Sequence, residues 1–279
     1  MKLSNAFLKL IIIFIVVYWC VYKDVFPFNQ LMTWRHKLET NNEKEVGYNT
    51  YLSYDFESKA TGTDLSLEIT SGKHFWYPQI SVWIEDLNDN YIETLFITKA
   101  TAKGNFYLGR TKDNFKEFDK ESGFEKNSIA RVDALPYWSH KRNHEYRDGF
   151  FTPHNLNPMP DAISGATPSG NFIINTSTSK KTQAFKIMLE INVAFDDNEY
   201  FSEYDFPNDS IYHSGTGQLG QPSLIYQAIV DTNDSNSYYV LKPIGHGHHS
   251  GLNGKLHTDL STLTTALKII ERIIVKIEP

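Results

Sequence analysis

The chain has 279 residues, of which 41% are hydrophobic and 22% charged, a composition that excludes a disordered protein. A net charge of −6, with no basic tail or patch, excludes an electrostatic nucleic-acid binder. The one cysteine, Cys20, lies inside an N-terminal apolar run, so the rest of the chain can hold no disulfide, thiolate nucleophile or cysteine-ligated metal cluster.

Residues 10–22 are uninterruptedly apolar, with Phe7 and Leu8 ahead of them and Lys2 and Lys9 on the N-terminal side. Basic residues before such a segment keep that end in the cytoplasm and send the C-terminal remainder across the membrane. The run is shorter than the roughly 20 residues of a full span. It is of a length that also suits a cleaved signal peptide. Its exit, Tyr18-Trp19-Cys20-Val21-Tyr22, offers no pair of small residues for cleavage and instead has the makings of an interfacial aromatic belt. Residues 1–24 therefore read as a single N-terminal transmembrane helix that anchors the chain, with a cleaved signal as the alternative. Residues 25–45 read as a membrane-proximal stalk, in which a short helix would place Leu31, Trp34 and Leu38 on one side. Residues 46–279 are then one extracytoplasmic domain.

Strand patterns fill that domain. Leu65, Leu67 and Ile69 alternate with polar residues, as do Ile80, Val82 and Ile84. Asn88-Asp89-Asn90 is turn chemistry, and residues 79–98 read as a hairpin. Residues 99–170 lack periodicity and are expected to form long loops. Strands are expected again at 171–175, 184–194, 223–231 and 238–244, and a helix or turn at about residue 260 should lead into a last strand ending near Ile277. Short strands without a βαβ rhythm predict an all-β, immunoglobulin-like sandwich with long loops.

Four stretches carry a family resemblance. Residues 77–86 (Tyr-Pro-Gln-Ile-Ser-Val-Trp-Ile-Glu-Asp), Thr94-Leu95, Asp161 to Pro168, and Phe185 to Glu190 resemble an uncharacterised family of predicted periplasmic proteins. Those proteins look related to the immunoglobulin-like domain of flagellar hook-capping protein. The resemblance spans about residues 75–200. It implies the fold and, since family members often accompany membrane flavoproteins and flavin transferases, an envelope redox setting. A shared fold does not by itself carry a shared activity.

Two segments hold candidate chemistry. Asp161-Ala162-Ile163-Ser164-Gly165-Ala166-Thr167-Pro168-Ser169 resembles the flavin mononucleotide attachment signal of electron-transfer flavoprotein subunits, matching each of its defined positions. The resemblance implies a covalent FMN on Thr167, with Asp161, Ser164, Gly165 and Ala166 completing the signal. Small residues there would let a phosphoryl donor approach the hydroxyl; the same letters are also ordinary turn chemistry before a strand. The second segment holds His246, His248, His249 and His257 within a dozen residues. Imidazole is the commonest transition-metal ligand. In extended chain His246 and His248 share a side, and His257 or Asp259 would complete a site if the glycine-rich loop folds back. His249 would face away, as a supporting or proton-transfer group. The competing reading is a polar loop whose histidines bond to backbone and water.

Weaker patterns remain. Gly215-Thr216-Gly217-Gln218-Leu219-Gly220 spells a dinucleotide fingerprint, but no buried strand leads into it and Pro222 follows where a long helix should begin. The carboxylates Asp196, Asp197, Glu199, Glu203, Asp205 and Asp209 lack calcium-loop spacing and read as a solvated acidic edge. Pro136-Tyr137-Trp138 reads either as a ligand-facing loop or as a cover for the core. No Gly-x-Ser-x-Gly elbow occurs. The expected function is a non-enzymatic, membrane-tethered binding protein that takes a transition metal or works with envelope redox proteins. A flavin-carrying electron-transfer subunit and a structural envelope protein are the alternatives.

Overall fold

The computed structural model describes residues 51–56, 61–104, 110–111, 114–118, 131–146, 149, 151–154, 157–160, 163–202, 204–209, 212, 220–234 and 238–278. The anchor, the stalk, Asp161, Ala162, Glu203 and all of the fingerprint-like stretch but Gly220 lie outside them. Among the described residues no helix is long and apolar enough to cross a membrane.

In chain order the first strands are β1 (Leu52–Asp55), β2 (Asp64–Ser71), β3 (Gln79–Glu85) and β4 (Tyr91–Thr98). Helix α1 (Lys99–Lys103), β5 (Arg110–Thr111), β6 (Asn114–Phe118), helix α2 (Pro136–Lys141) and β7 (Ser164–Gly165) come next. Then come β8 (Phe172–Ser177), β9 (Ala184–Asn192), β10 (Leu224–Asp231), β11 (Tyr238–Val240) and β12 (Lys242–His246). A 3₁₀ turn (Ala266–Lys268) leads into β13 (Ile270–Glu278). The chain is mostly β, in two main sheets. One has the order β1-β8-β2-β13-β11 and the other β12-β10-β9-β3-β4-β7; β5 and β6 pair separately. Neighbours are antiparallel except β1 with β8 and β4 with β7.

The residues that alternate in sequence fill the space between the sheets. Leu65, Leu67 and Ile69 of β2 belong to one buried cluster with Ile80, Val82 and Ile84 of β3 and with Phe185, Ile187 and Leu189 of β9. Each such side chain, fully removed from water, contributes about 1.5–3 kcal/mol. The hairpin of β3 and β4 closes as its sequence predicts. Asp86 Oδ1 accepts the backbone N–H groups of Asn88 at 2.8 Å and Asn90 at 2.9 Å, and Asp89 takes the left-handed conformation at φ +67°.

Three expectations change. All seven residues of β3 are buried, because the outer face of the six-stranded sheet is not left to solvent. Trp83, Met188 and Ile225 on that face pack in a second cluster with Leu135, Tyr137 and Trp138. A sheet covered on both faces loses its polar side. Second, the described part of residues 99–170 is not simply loop: it supplies α1, β5, β6, α2 and β7, elements too short to show a period. Third, the single strand expected over 238–244 is two strands in different sheets. Leu241 between them is buried, and its N–H donates to Ile273 O at 3.1 Å, which pins the crossing. Pro243 is accommodated because β12 is an edge strand.

Candidate functional site

Helix α2 begins at Pro136, whose missing N–H costs nothing at a first helical position. Leu135, at the capping position, offers no side-chain hydrogen bond. The cap comes from across the structure: Glu190 of β9 accepts the N–H of Tyr137 on Oε1 at 3.1 Å and that of Trp138 on Oε2 at 2.7 Å. Ser223, next to β10, donates its Oγ–H to Glu190 Oε1 at 2.5 Å. Glu190 is completely buried, and burial raises its carboxyl pKa to about 7 against the pull of these three donors.

The histidine segment is laid against this group. It leaves β12 at His246 and returns at His257, and the two exchange backbone hydrogen bonds of 2.8 and 2.9 Å. We refer to residues 245–257 as the strap. Gly247 has to be glycine: a Cβ there would lie 2.5 Å from Ser223 Oγ and 2.7 Å from Pro136 Cγ. The fold-back sets the His246 and His257 rings in a stack with centroids 5.1 Å apart. His248 is 6.0 Å from His257 and 4.2 Å from His249. Imidazoles that share one metal ion at about 2.0–2.1 Å per nitrogen have ring centres within about 6 Å of each other.

Protonation and tautomer are set by the surroundings. Burial, then the neighbouring His249 and His257, pushes the His248 pKa down to about 4. Burial also lowers His246 and His249. These rings are neutral at pH 7 and carry lone pairs. His246 Nδ1 lies 2.7 Å from Gly247 O and so holds the proton, leaving Nε2 as an acceptor. His248 Nδ1 accepts from Ser250 N at 3.3 Å and stands 3.2 Å from Ser250 Oγ; with its proton on Nδ1 instead, it would donate to that hydroxyl and free Nε2. His257 Nε2 is buried with no hydrogen-bond partner among the described residues. Such an orphaned nitrogen loses its solvation for nothing unless something binds it. Asp259 is exposed; its Oδ1 accepts the Ser261 N–H at 2.9 Å, and that turn holds its pKa down. Among the described residues no three His, Cys, Asp or Glu side chains already surround one point as a metal would require.

His249 does not simply face away. It stacks on Phe206 at 3.8 Å, and its Nε2 lies 3.1 Å from Asp209 Oδ2. The acidic stretch is thus docked on the strap rather than solvated throughout, and the aromatics among its carboxylates (Phe201, Phe206 and Tyr212) were the signal for it. Together they leave a surface cleft of about 460 Å³ lined by Phe206, Pro207, Asp209, His248, His249 and Leu252.

The flavin-signal segment lies elsewhere. Ser164 and Gly165 form β7, pairing in parallel with Ile97 and Thr98 of β4. A Cβ on Gly165 would come within 2.7 Å of the Phe96 ring and 2.8 Å of Tyr54, so its smallness serves the packing of this edge. Tyr54 Oη donates to Ala166 O at 2.6 Å; Ala166 is exposed and Thr167 half-buried. Tyr137 and Trp138 are buried in the outer cluster, as a cover for the sheet.

No family model matches the chain, and no curated protein and no solved structure matches it significantly.

Proposed function

We propose that the chain is a membrane-tethered, extracytoplasmic binding protein whose immunoglobulin-like sandwich presents a histidine site for a borderline transition-metal ion such as zinc or copper(II). The observation that carries this reading is the gathering of His246, His248 and His257 on one fold-back, with a buried His257 nitrogen that has no hydrogen-bond partner among the described residues. Imidazole nitrogen suits these ions, and neutral rings need not lose a proton to bind them. His248 would join the set with its Nδ1–H donating a hydrogen bond to Ser250 Oγ, which leaves the Nε2 lone pair for the metal. His249, held by Asp209, is the supporting imidazole, in the manner of the carboxylate–histidine pairs that brace metal sites. Asp259 is exposed, and the ligand set needs no contribution from it.

Zinc titration of the full chain in detergent, read by calorimetry and by metal analysis, tests this. One zinc per chain is expected, and His248→Ala and His257→Ala should each weaken binding by roughly tenfold or more. Substoichiometric metal in the unaltered chain overturns the site. The tether is checked separately: alkaline carbonate should leave the protein in the membrane pellet, and its release would argue against an anchor.

The second reading, a flavin mononucleotide ester on Thr167 serving envelope redox proteins, is supported by the match of residues 161–169 to the attachment signal. Co-expression with a flavin transferase should then give a fluorescent band on a denaturing gel that Thr167→Ala abolishes; a dark band removes this reading.

A further inference from the structure

We propose that the surface cleft between the acidic loop and the strap receives an arginine side chain carried by an extended segment of a partner protein, with the aromatic residues around the cleft gripping the rest of that segment. This needs no metal at the histidines. Strand register gathers the pieces that build the place. Gln79 pairs with Asn192, and Leu224 pairs with Ile191 on one side and His246 on the other, so β3, β9, β10 and β12 meet at one end of the six-stranded sheet. Among the described residues the exposed aromatics are Tyr77, Phe195, Tyr200, Tyr204 and Tyr238. The first four belong to segments that enter or leave the sheet at this end, and Tyr204 is 82% exposed. Aromatic rings shown to water on loops offer a partner large contact area with few torsions to freeze. Phe195 and Phe206 take the left-handed conformation, at φ +60° and +52°, which costs a bulky residue about 1–3 kcal/mol and recurs at ligand clamps.

The cleft between these rings has the chemistry of an arginine pocket. Its polar wall is Asp209, Asn208 and the imidazoles of His248 and His249. No Lys or Arg lines it, and none occurs in the sequence from residue 187 to 241. Burial lowers the pKa of both imidazoles, so they bring no positive charge at pH 7. Asp209 is held in place: its Oδ1 accepts the Tyr212 N–H at 3.0 Å, and His249 Nε2 stands 3.1 Å from its Oδ2. A carboxylate has about four lone-pair sites, enough to keep these bonds and also receive a guanidinium. Phe206, Pro207 and the exposed Leu252 form apolar walls along which a methylene stem can lie while its charged head reaches the carboxylate. Arginine fits this better than lysine, because its planar head also stacks on aromatic faces. Asp196, Asp197, Glu199 and Asp205 on the same loop add a field that attracts a cation. Acidic residues alone would be a solvated face; the walled cleft with a fixed carboxylate makes this one selective.

Fluorescence anisotropy with the full chain in detergent, at physiological salt, tests this. A chelator is present throughout, so the result stands whether or not the histidines hold an ion. The probe is a short fluorescein-labelled peptide of alternating arginine and serine. Its comparison peptide carries citrulline, neutral and of nearly the same shape, in place of arginine. The arginine probe should bind, and the citrulline probe should bind roughly tenfold more weakly or worse. Asp209→Asn keeps an oxygen for the Tyr212 amide and removes the charge; Leu252→Lys sets a cation at an exposed position where folding is not at stake. Each should weaken binding of the arginine probe by roughly fivefold or more. Asp231→Asn removes the same charge at the opposite end of β10 and should leave affinity within about twofold. Equal binding of the two peptides would assign the cleft to neutral ligands and overturn the proposal. An effect of Asp231→Asn as large as that of Asp209→Asn, wild-type affinity in Leu252→Lys, or an arginine probe that does not bind at millimolar concentration overturns it as well.

Discussion

Replacing Trp138 by Ala should destabilise the two-sheet domain by about 3–5 kcal/mol, the range for emptying a buried indole site. Trp138 is fully buried, and it ties together several elements at once. Its backbone N–H reaches Glu190 on β9 at 2.7 Å, its Nε1–H donates to Thr94 Oγ1 on β4 at 3.0 Å, and Arg142 lies over its ring at 4.9 Å. Truncation leaves a cavity on the outer face of the six-stranded sheet and takes from the Thr94 hydroxyl one of its two side-chain partners, Tyr91 Oη at 2.8 Å being the other. Leu267→Ala is the control, since Leu267 is 38% exposed and should change stability by no more than about 0.5 kcal/mol. Urea unfolding of the two variants, followed by tryptophan emission, measures both. A loss below about 1 kcal/mol for Trp138→Ala would show that the α2 layer is an appendage and not part of the cooperative core.

That layer is also where reading the sequence stops working, for a definite reason. Alternation in a strand shows which residues share a face but not what covers that face. Leu65, Leu67 and Ile69 were legible because their partners between the sheets are equally apolar. Leu189-Glu190-Ile191 looks like the same pattern with a charge turned to water, yet Glu190 is buried under a helix of six residues whose amides it caps. Helices this short carry no period to read. The crossing at Leu241 was hidden similarly: the apolar run continues through it, and only the partners (Ile273 on one side, β10 on the other) divide it. The histidine fold-back was legible from its glycines. Its contact with the acidic loop was not, because Asp209 and His249 are 40 residues apart and no local pattern links them.

The pH dependence of stability should separate two titrating groups of this region, the buried Glu190 and the half-buried His248, because they have opposite signs. Glu190 rises from an ordinary 4.5 to about 7 on folding, so between these values the native state holds a proton that the unfolded chain has released. Its stabilising contribution is complete below pH 4.5 and is lost as pH climbs through 7, a fall of about 3 kcal/mol at about 1.36 kcal/mol per pH unit. His248 moves from 6.5 down to about 4, so the native state binds fewer protons across that window. Its contribution is complete above pH 6.5 and is lost as pH falls toward 4; His246 and His249, also lowered, act in the same direction. The histidine rings are partly open to solvent, so screening reduces their combined effect below what the shifts alone would imply. Between pH 4.5 and 6.5 the two groups therefore oppose each other, and the unaltered protein should show a shallow profile. Glu190→Gln carries no titrating carboxyl and should expose the histidine slope, gaining stability as pH rises from 4.5 to 6.5. The difference between the unaltered and Glu190→Gln unfolding free energies should shrink by about 3 kcal/mol from pH 4.5 to 7 and then level off. Parallel curves for the two proteins across that range would mean that the three donors to Glu190 fully offset the cost of its burial, so that folding leaves its carboxyl at the ordinary value.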